Sequence, residues 1–264
     1  MNVALKWILA LGSTAAVSGA GSVLVYRSLT VESDAFVAKQ QDVRVAQAAV
    51  DRVAHESVVA EGEKGLPLAG VHTFTVAGGG VSNATFTSDA PLETIVGNVT
   101  DVTGELKVDL GAPLKATGTV SVGIAGLETG IELRDEHLHS ENWLDAEKFP
   151  RAEFTLKSVR GKEGPLAVGE RRVLDVTGDF TLHGVTKPVN ASLTVQASPW
   201  TEAFGKVRIK GDVLRVRSEF TIAIADFGID AGDLSGSKVA SFVTVTVNLT
   251  TVTEAPAIAV TAAK

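Results

Sequence analysis

Between about residue 68 and residue 250, apolar side chains recur at every second position, as half-buried β-strands require. Leu106, Val108 and Leu110 alternate with Lys107 and Asp109, and Val120, Val122 and Ile124 with Ser121 and Gly123. Further rows are Phe154 and Leu156; Leu174, Val176, Phe180 and Leu182, with Gly178 between; and Val189, Ala191, Leu193 and Val195. The longest rows close the segment: Leu214, Val216, Phe220, Ile222 and Ile224, then Val243, Val245, Val247 and Leu249. Gly97-Asn98, Gly111-Ala112-Pro113, Gly164-Pro165, Ser198-Pro199 and Gly211-Asp212 supply the expected turns. The pattern predicts about eight or nine antiparallel strands with one solvated face. Two open edges on so large a sheet would invite aggregation, so it is expected to close as a barrel or fold over as a sandwich. The one non-strand insertion predicted is Glu132 to Pro150, charged, containing Trp143, and read as a helical turn or two across one end of the sheet.

The first 67 residues obey other rules. Trp7 to Tyr26 is a run of 20 residues without a charge, bounded by Lys6 and Arg27, about the length that crosses a bilayer as a helix. It is compatible with a retained anchor, with Tyr26 and Arg27 at the far interface, or with a signal cleaved near Ser18-Gly19-Ala20. Either reading exports the remainder of the chain, with Lys6 marking the inside. Residues 28–67 read as a polar, partly helical spacer. Val43, Ala46, Val50 and Val53 suggest a short amphipathic helix, left exposed or set against a partner. The expected division is 1–27 signal or anchor, 28–67 spacer, 68–253 β-domain and 254–264 tail.

Composition narrows the chemistry. A formal net charge of −7 lacks the basic footprint that nucleic acid demands and disfavours electrostatic docking on an anionic leaflet. The absence of cysteine removes disulfides, thiolate metal sites and Cys nucleophiles together. His137-x-His139 beside Asp135 and Glu136 has a metal-site flavour, but Trp143 and Leu144 stand where a cupin-type pattern wants a Glu. No nucleophile elbow, phosphate loop or dinucleotide fingerprint comes after a strand. Neither catalysis, a metal nor a cofactor is therefore expected.

Four segments in order resemble the YceI-like family of periplasmic and secreted polyisoprenoid-binding proteins. They are Gly126-Leu127-Glu128-Thr129-Gly130 running to Arg134-Asp135-Glu136-His137-Leu138, then Trp143-Leu144-Asp145-Ala146-Glu147-Lys148-Phe149-Pro150-Arg151-Ala152-Glu153-Phe154. The third is Gly178-Asp179-Phe180-Thr181-Leu182-His183-Gly184-Val185-Thr186-Lys187-Pro188-Val189, and the fourth Asp226-Phe227-Gly228-Ile229. The resemblance spans roughly residues 70 to 251 and is loosest at its start, around Ser82–Phe86 and Leu92–Val99. It implies an all-β fold, an antiparallel lipocalin-like β-barrel whose apolar interior holds a long isoprenoid chain, such as a quinone tail. The inward apolar candidates are Phe86, Val122, Ile124, Phe154, Leu156, Phe180, Leu182, Phe220, Ile222 and Val245. Arg134, Asp135, His137 and His183 match motif positions and are expected at a barrel end. The expected setting is periplasmic, with a membrane tether if the apolar run is retained. The alternative is a ligand-free all-β interaction module with a packed core.

Overall fold

The computed structural model describes residues 33–60 and 70–253, with 56–60 described by their backbone alone. The apolar run and the tail predicted for 254–264 lie outside the described residues. Among the described residues no helix is long and apolar enough to cross a membrane.

Ten strand segments form one antiparallel sheet: β1 (Val71–Val76), β2 (Asn83–Asp89), β3 (Thr94–Val99), β4 (Val102–Asp109), β5 (Thr117–Gly123), β6 (Arg151–Gly161), β7 (Arg171–Leu182), β8 (Val185–Ser198), β9 (Val213–Ala223) and β10 (Phe242–Val252). The order is β1-β4-β5-β6-β7-β8-β9-β10-β2-β3, with β1 also paired to β10. Both β1 and β2 lie along the same side of β10, at Thr75↔Val252 and Asn83↔Asn248. They therefore act as one bent strand interrupted by residues 77–82. Likewise β3 and β4 are one bent strand broken at Thr100-Asp101. Counted this way, eight strand lines close into an up-and-down barrel in which each neighbours the next along the chain. Closure pairs each strand line on both sides, although β3 itself pairs only with β2 and meets the loop after β5 through the Asn98–Glu128 bridge.

The loops 90–93, 124–150, 183–184 and 224–241 gather at one end, here called the upper end, and 110–116, 162–170 and 199–212 at the lower. In the lower interior Phe74, Leu110 and Ala197 pack with Val108, Leu166 and Leu214, and the last three line a cavity that reaches down to Pro113 and Ala116.

Four sequence expectations are corrected. Residues 28–67 are not an exposed spacer over their helical part. Helix α1 (Asp34–Ala60) lies against the barrel, burying Phe36, Val43, Val50, Val53 and Ala54. Its lower half packs with Val81, Phe204, Ile209 and Val213, and Asp51 pairs with Arg215. Its upper half is tied by Lys39 Nζ to Glu128 Oε1 (2.8 Å) and by Gln47 Nε2 donating to Asn83 Oδ1 (2.7 Å). Second, Gly97-Asn98 is not a turn but lies within β3. Phe86 stands opposite Gly97, whose missing Cβ makes room for the ring, and the Asn98 amide oxygen accepts a buried bond from Asn83 Nδ2 (2.7 Å). The turn falls at Ala90–Glu93 instead, closed by reciprocal backbone bonds. Third, the segment Glu132–Pro150, with α2 at Glu132–His139, is not the one insertion. Residues 199–212 carry α3 (Glu202–Lys206), and 224–241 carry two 3₁₀ turns. Fourth, Ile124 and Ile224, expected at strand ends, each begin a 3₁₀ turn just beyond one, still pointing inward.

Candidate functional site: an apolar cavity along the barrel

Alternation places one apolar row from each strand in the barrel interior, where side chains converge without filling it. A cavity of about 520 Å³ remains, within the range of small-molecule sites. All ten inward candidates line it: Phe86, Val122, Ile124, Phe154, Leu156, Phe180, Leu182, Phe220, Ile222 and Val245. The aromatic rings are held in fixed relation, with Phe180 edge-on to Phe220 and to Phe227, each at 5.5 Å between centroids. Gly178 keeps the wall thin where Phe154 lies across it, since a Cβ there would run into that ring.

The four motif residues share the upper end but not one role. Arg134 and His137 line the mouth of the cavity, one helical turn apart on α2. The Arg134 guanidinium donates from Nε to Thr129 Oγ1 (2.9 Å) and from Nη1 to Glu93 Oε1 (2.8 Å), bolting α2 to the β2–β3 hairpin. Asp135 does not reach the cavity. Its Oδ1 accepts from the Thr129 backbone N–H (2.7 Å) and hydroxyl (2.5 Å), fixing the approach to the helix. His183 also stays outside. With Gly184 it makes a two-residue turn, both residues at positive φ (51° and 74°), which suits a tight hairpin. Its Nδ1 lies 3.1 Å from the Phe227 carbonyl and its ring meets Phe149 edge-on. His139, the other member of the His-x-His pair, has Nε2 2.8 Å from the Leu127 carbonyl. These histidines fasten loops.

Sequence periodicity missed the upper closure. Leu138, Trp143 and Leu144 from the insertion, with Leu234, Lys238 and Val239 from 224–241, complete the lining. Isolated apolar residues in charged, irregular segments have no period to betray them; the one usable signal was Leu138 and Leu144 standing apolar in a run of carboxylates. The ionisable side chains lining the cavity are Glu93, Arg134, His137 and Lys238, and the hydrogen-bonded contacts above set Glu93 and Arg134 at the upper end. Lys238 comes directly after the turn 234–237, whose Ser237 carbonyl accepts from Leu92 N–H (3.0 Å), so it belongs to the same mouth.

The YceI-like domain family matches residues 77–251, the barrel from just after β1 onward. The chain belongs to that family. Among its relatives are a UPF0312 protein of Photorhabdus laumondii, 38% identical over 125 residues, and protein YceI of Escherichia coli O157:H7, 36% identical over 125 residues. Each match covers 44% of this chain and 61% of the relative, so the chain spans about three fifths of the curated relatives' length. Two solved structures share the fold at 18% identity and a TM-score of 0.50. One is Burkholderia cenocepacia BcnA, covering 64% of this chain and 95% of that one. The other is a polyisoprenoid binding domain from Saccharophagus degradans implicated in plant cell wall breakdown, covering 70% and 99%.

Proposed function

We propose that this YceI-like barrel binds a long-chain isoprenoid, or a lipid of similar shape, within its apolar cavity. The observation that carries the reading is the cavity itself, about 520 Å³ lined by apolar side chains of every strand but β1. A cavity of about 150 Å³ takes a benzene ring, so this one has room for roughly twenty chain carbons, and a longer tail would extend through the mouth. The likeness to a polyisoprenoid binding domain supports the reading. A ligand-free module with a packed core would not leave a void of this size.

The function so read is carriage or storage outside the cytoplasm, in the periplasm, with a tether to the membrane where the apolar run is retained. The protein acts as a binder without a cofactor or a chemical step; a quinone is one ligand of suitable shape. Apolar burial against water is worth about 0.8 kcal/mol per CH₂. A lipid starting in a bilayer is already out of water, so that term largely cancels on transfer. Shape fit and contacts at the mouth then decide affinity, and the lipid exchanges with membranes. Protein purified from membranes is expected to release a polyisoprenoid on organic extraction, detected by mass spectrometry. No extractable lipid, together with failure to displace a lipophilic fluorescent probe, would overturn the proposal.

A further inference from the structure

The upper rim carries apolar side chains that the barrel's own packing does not use. Leu92 at the β2–β3 tip, Leu133 in α2, Leu234 in the 224–241 loop and Phe242 at the start of β10 are 55%, 62%, 41% and 66% exposed. Short bonds hold the elements bearing them in one neighbourhood. Arg134 reaches Glu93, the Leu92 N–H donates to the Ser237 carbonyl (3.0 Å), and the Ala240 N–H donates to Ser88 Oγ (2.9 Å). Leu234 also lines the cavity, so apolar surface continues from the rim into the interior.

A second observation is where the described chain begins. The Ser33 N–H donates to the Gly130 carbonyl (2.8 Å), three residues before Leu133 and on the same rim. Upstream stands the uncharged run Trp7–Tyr26, separated from Ser33 by residues 27–32. The seven steps from Tyr26 to Ser33 reach at most about 25 Å. A bilayer holding that run therefore lies within about 25 Å of the rim. The lower end of the barrel is farther away by most of α1, 27 residues or about 40 Å long.

We propose that this rim is a bilayer-docking surface: Leu92, Leu133, Leu234 and Phe242 enter the lipid and set the cavity mouth against its hydrocarbon. The inference rests on the lipid-binding reading and deepens it, naming the membrane as the direct donor and acceptor of the ligand. Charge sets the preference among membranes. Glu132, Glu136, Asp230 and Asp233 belong to the same upper-end segments and, with Glu93, outnumber Arg134, Lys148 and Lys238, so anionic lipid weakens docking. Contact is made by apolar insertion into a zwitterionic surface.

The chain has no cysteine, which allows a single reporter to be placed at will. The full chain carrying Leu92→Cys, Phe242→Cys or, at the lower end, Val173→Cys is labelled with an environment-sensitive fluorophore and reconstituted in phosphatidylcholine vesicles. The label at 92 or 242 is expected to shift to the blue and to be quenched by nitroxide on the acyl chains, while the label at 173 is not. Equimolar phosphatidylglycerol should reduce the quenching. Equal quenching at both ends, or none at the rim, overturns the proposal. A Leu133→Glu/Phe242→Glu variant separates this from the binding reading. It is expected to keep the lipid it acquires in detergent yet load from vesicles about tenfold more slowly. Unchanged loading from vesicles refutes docking, whereas rim quenching in a chain that yields no extractable lipid refutes the binding reading alone.

Discussion

Replacing Gly97 by alanine tests whether the barrel interior is a space kept open or a core that merely packs loosely. Gly97 faces Phe86 across the β2–β3 pair, and the three atoms nearest a Cβ at 97 all belong to that ring. The ring must then swing off the wall, and it lines the cavity. A phenyl ring displaces up to about 150 Å³, by the cavity that fits benzene. That is somewhat over a quarter of the 520 Å³ present, or about five chain carbons of the roughly twenty it can hold. Because empty space receives the ring, the ligand-free protein should lose less than about 1 kcal/mol, below the 1–3 kcal/mol typical of an overpacked core. The assay is displacement of a bound lipophilic probe by a series of isoprenoid alcohols, run beside chemical denaturation. Gly97→Ala is expected to move the best-bound chain shorter by about one five-carbon unit. A loss of about 1–3 kcal/mol with no change in preferred chain length would refute the reasoning and point to a filled interior.

Other parts of the molecule offer three further tests. Phe36→Ala should cost about 3 kcal/mol where α1 meets Gly130, and hydrogen exchange should show 34–55 losing protection while β6 to β9 keep theirs. Arg134→Ala leaves Glu93, itself only 17% exposed, without its partner; denaturation should show a loss of about 1–3 kcal/mol, and lysine should rescue only part because it cannot serve Thr129 and Glu93 together. Glu170 is held below the ordinary glutamate range, chiefly by its hydrogen bonds from Arg172 and next by the Ala167 N–H. Its contribution is thus present above the unfolded carboxylate range and is lost as pH falls through the depressed folded value, so Glu170→Gln should lower stability at neutral pH and flatten the acid limb, the two curves meeting at low pH.

The strands were legible because a barrel wall that is wet outside and apolar inside imposes a period of two on every strand it contains. That regularity is why ten cavity-lining residues, from Phe86 to Val245, could be picked without coordinates. Val43, Ala46, Val50 and Val53 marked helix α1 in the sequence, but where it docks was illegible for a related reason. Its buried stripe is mostly Val and Ala, weakly apolar, and its partners Val81, Phe204, Ile209 and Val213 come from distant parts of the chain. Nothing local distinguishes such a helix from one left in water. Gly97 misled because glycine signals a turn and also signals an aromatic ring lying close against the backbone, and only the cross-strand partner tells which. The mouth was half visible: the Arg134-Asp135 and His183-Gly184 motifs marked the correct end, while the 224–241 contribution has no periodicity.

The course of α1 also decides how the protein bears load. The chain arrives at the rim, descends the outer wall and joins the first strand only at the opposite end. Tension applied ahead of Ser33 would strip the helix from the top, breaking the Ser33–Gly130 bond, then the Phe36 contact, then Lys39–Glu128, one after another. Peeling in series needs only the force of the weakest contact at each moment, whereas shearing a strand pair must break many together. The 27 residues freed would lengthen from about 40 Å as helix to about 90 Å extended before any pull reached β1. Under such a load the helix would give way in steps before the barrel is pulled.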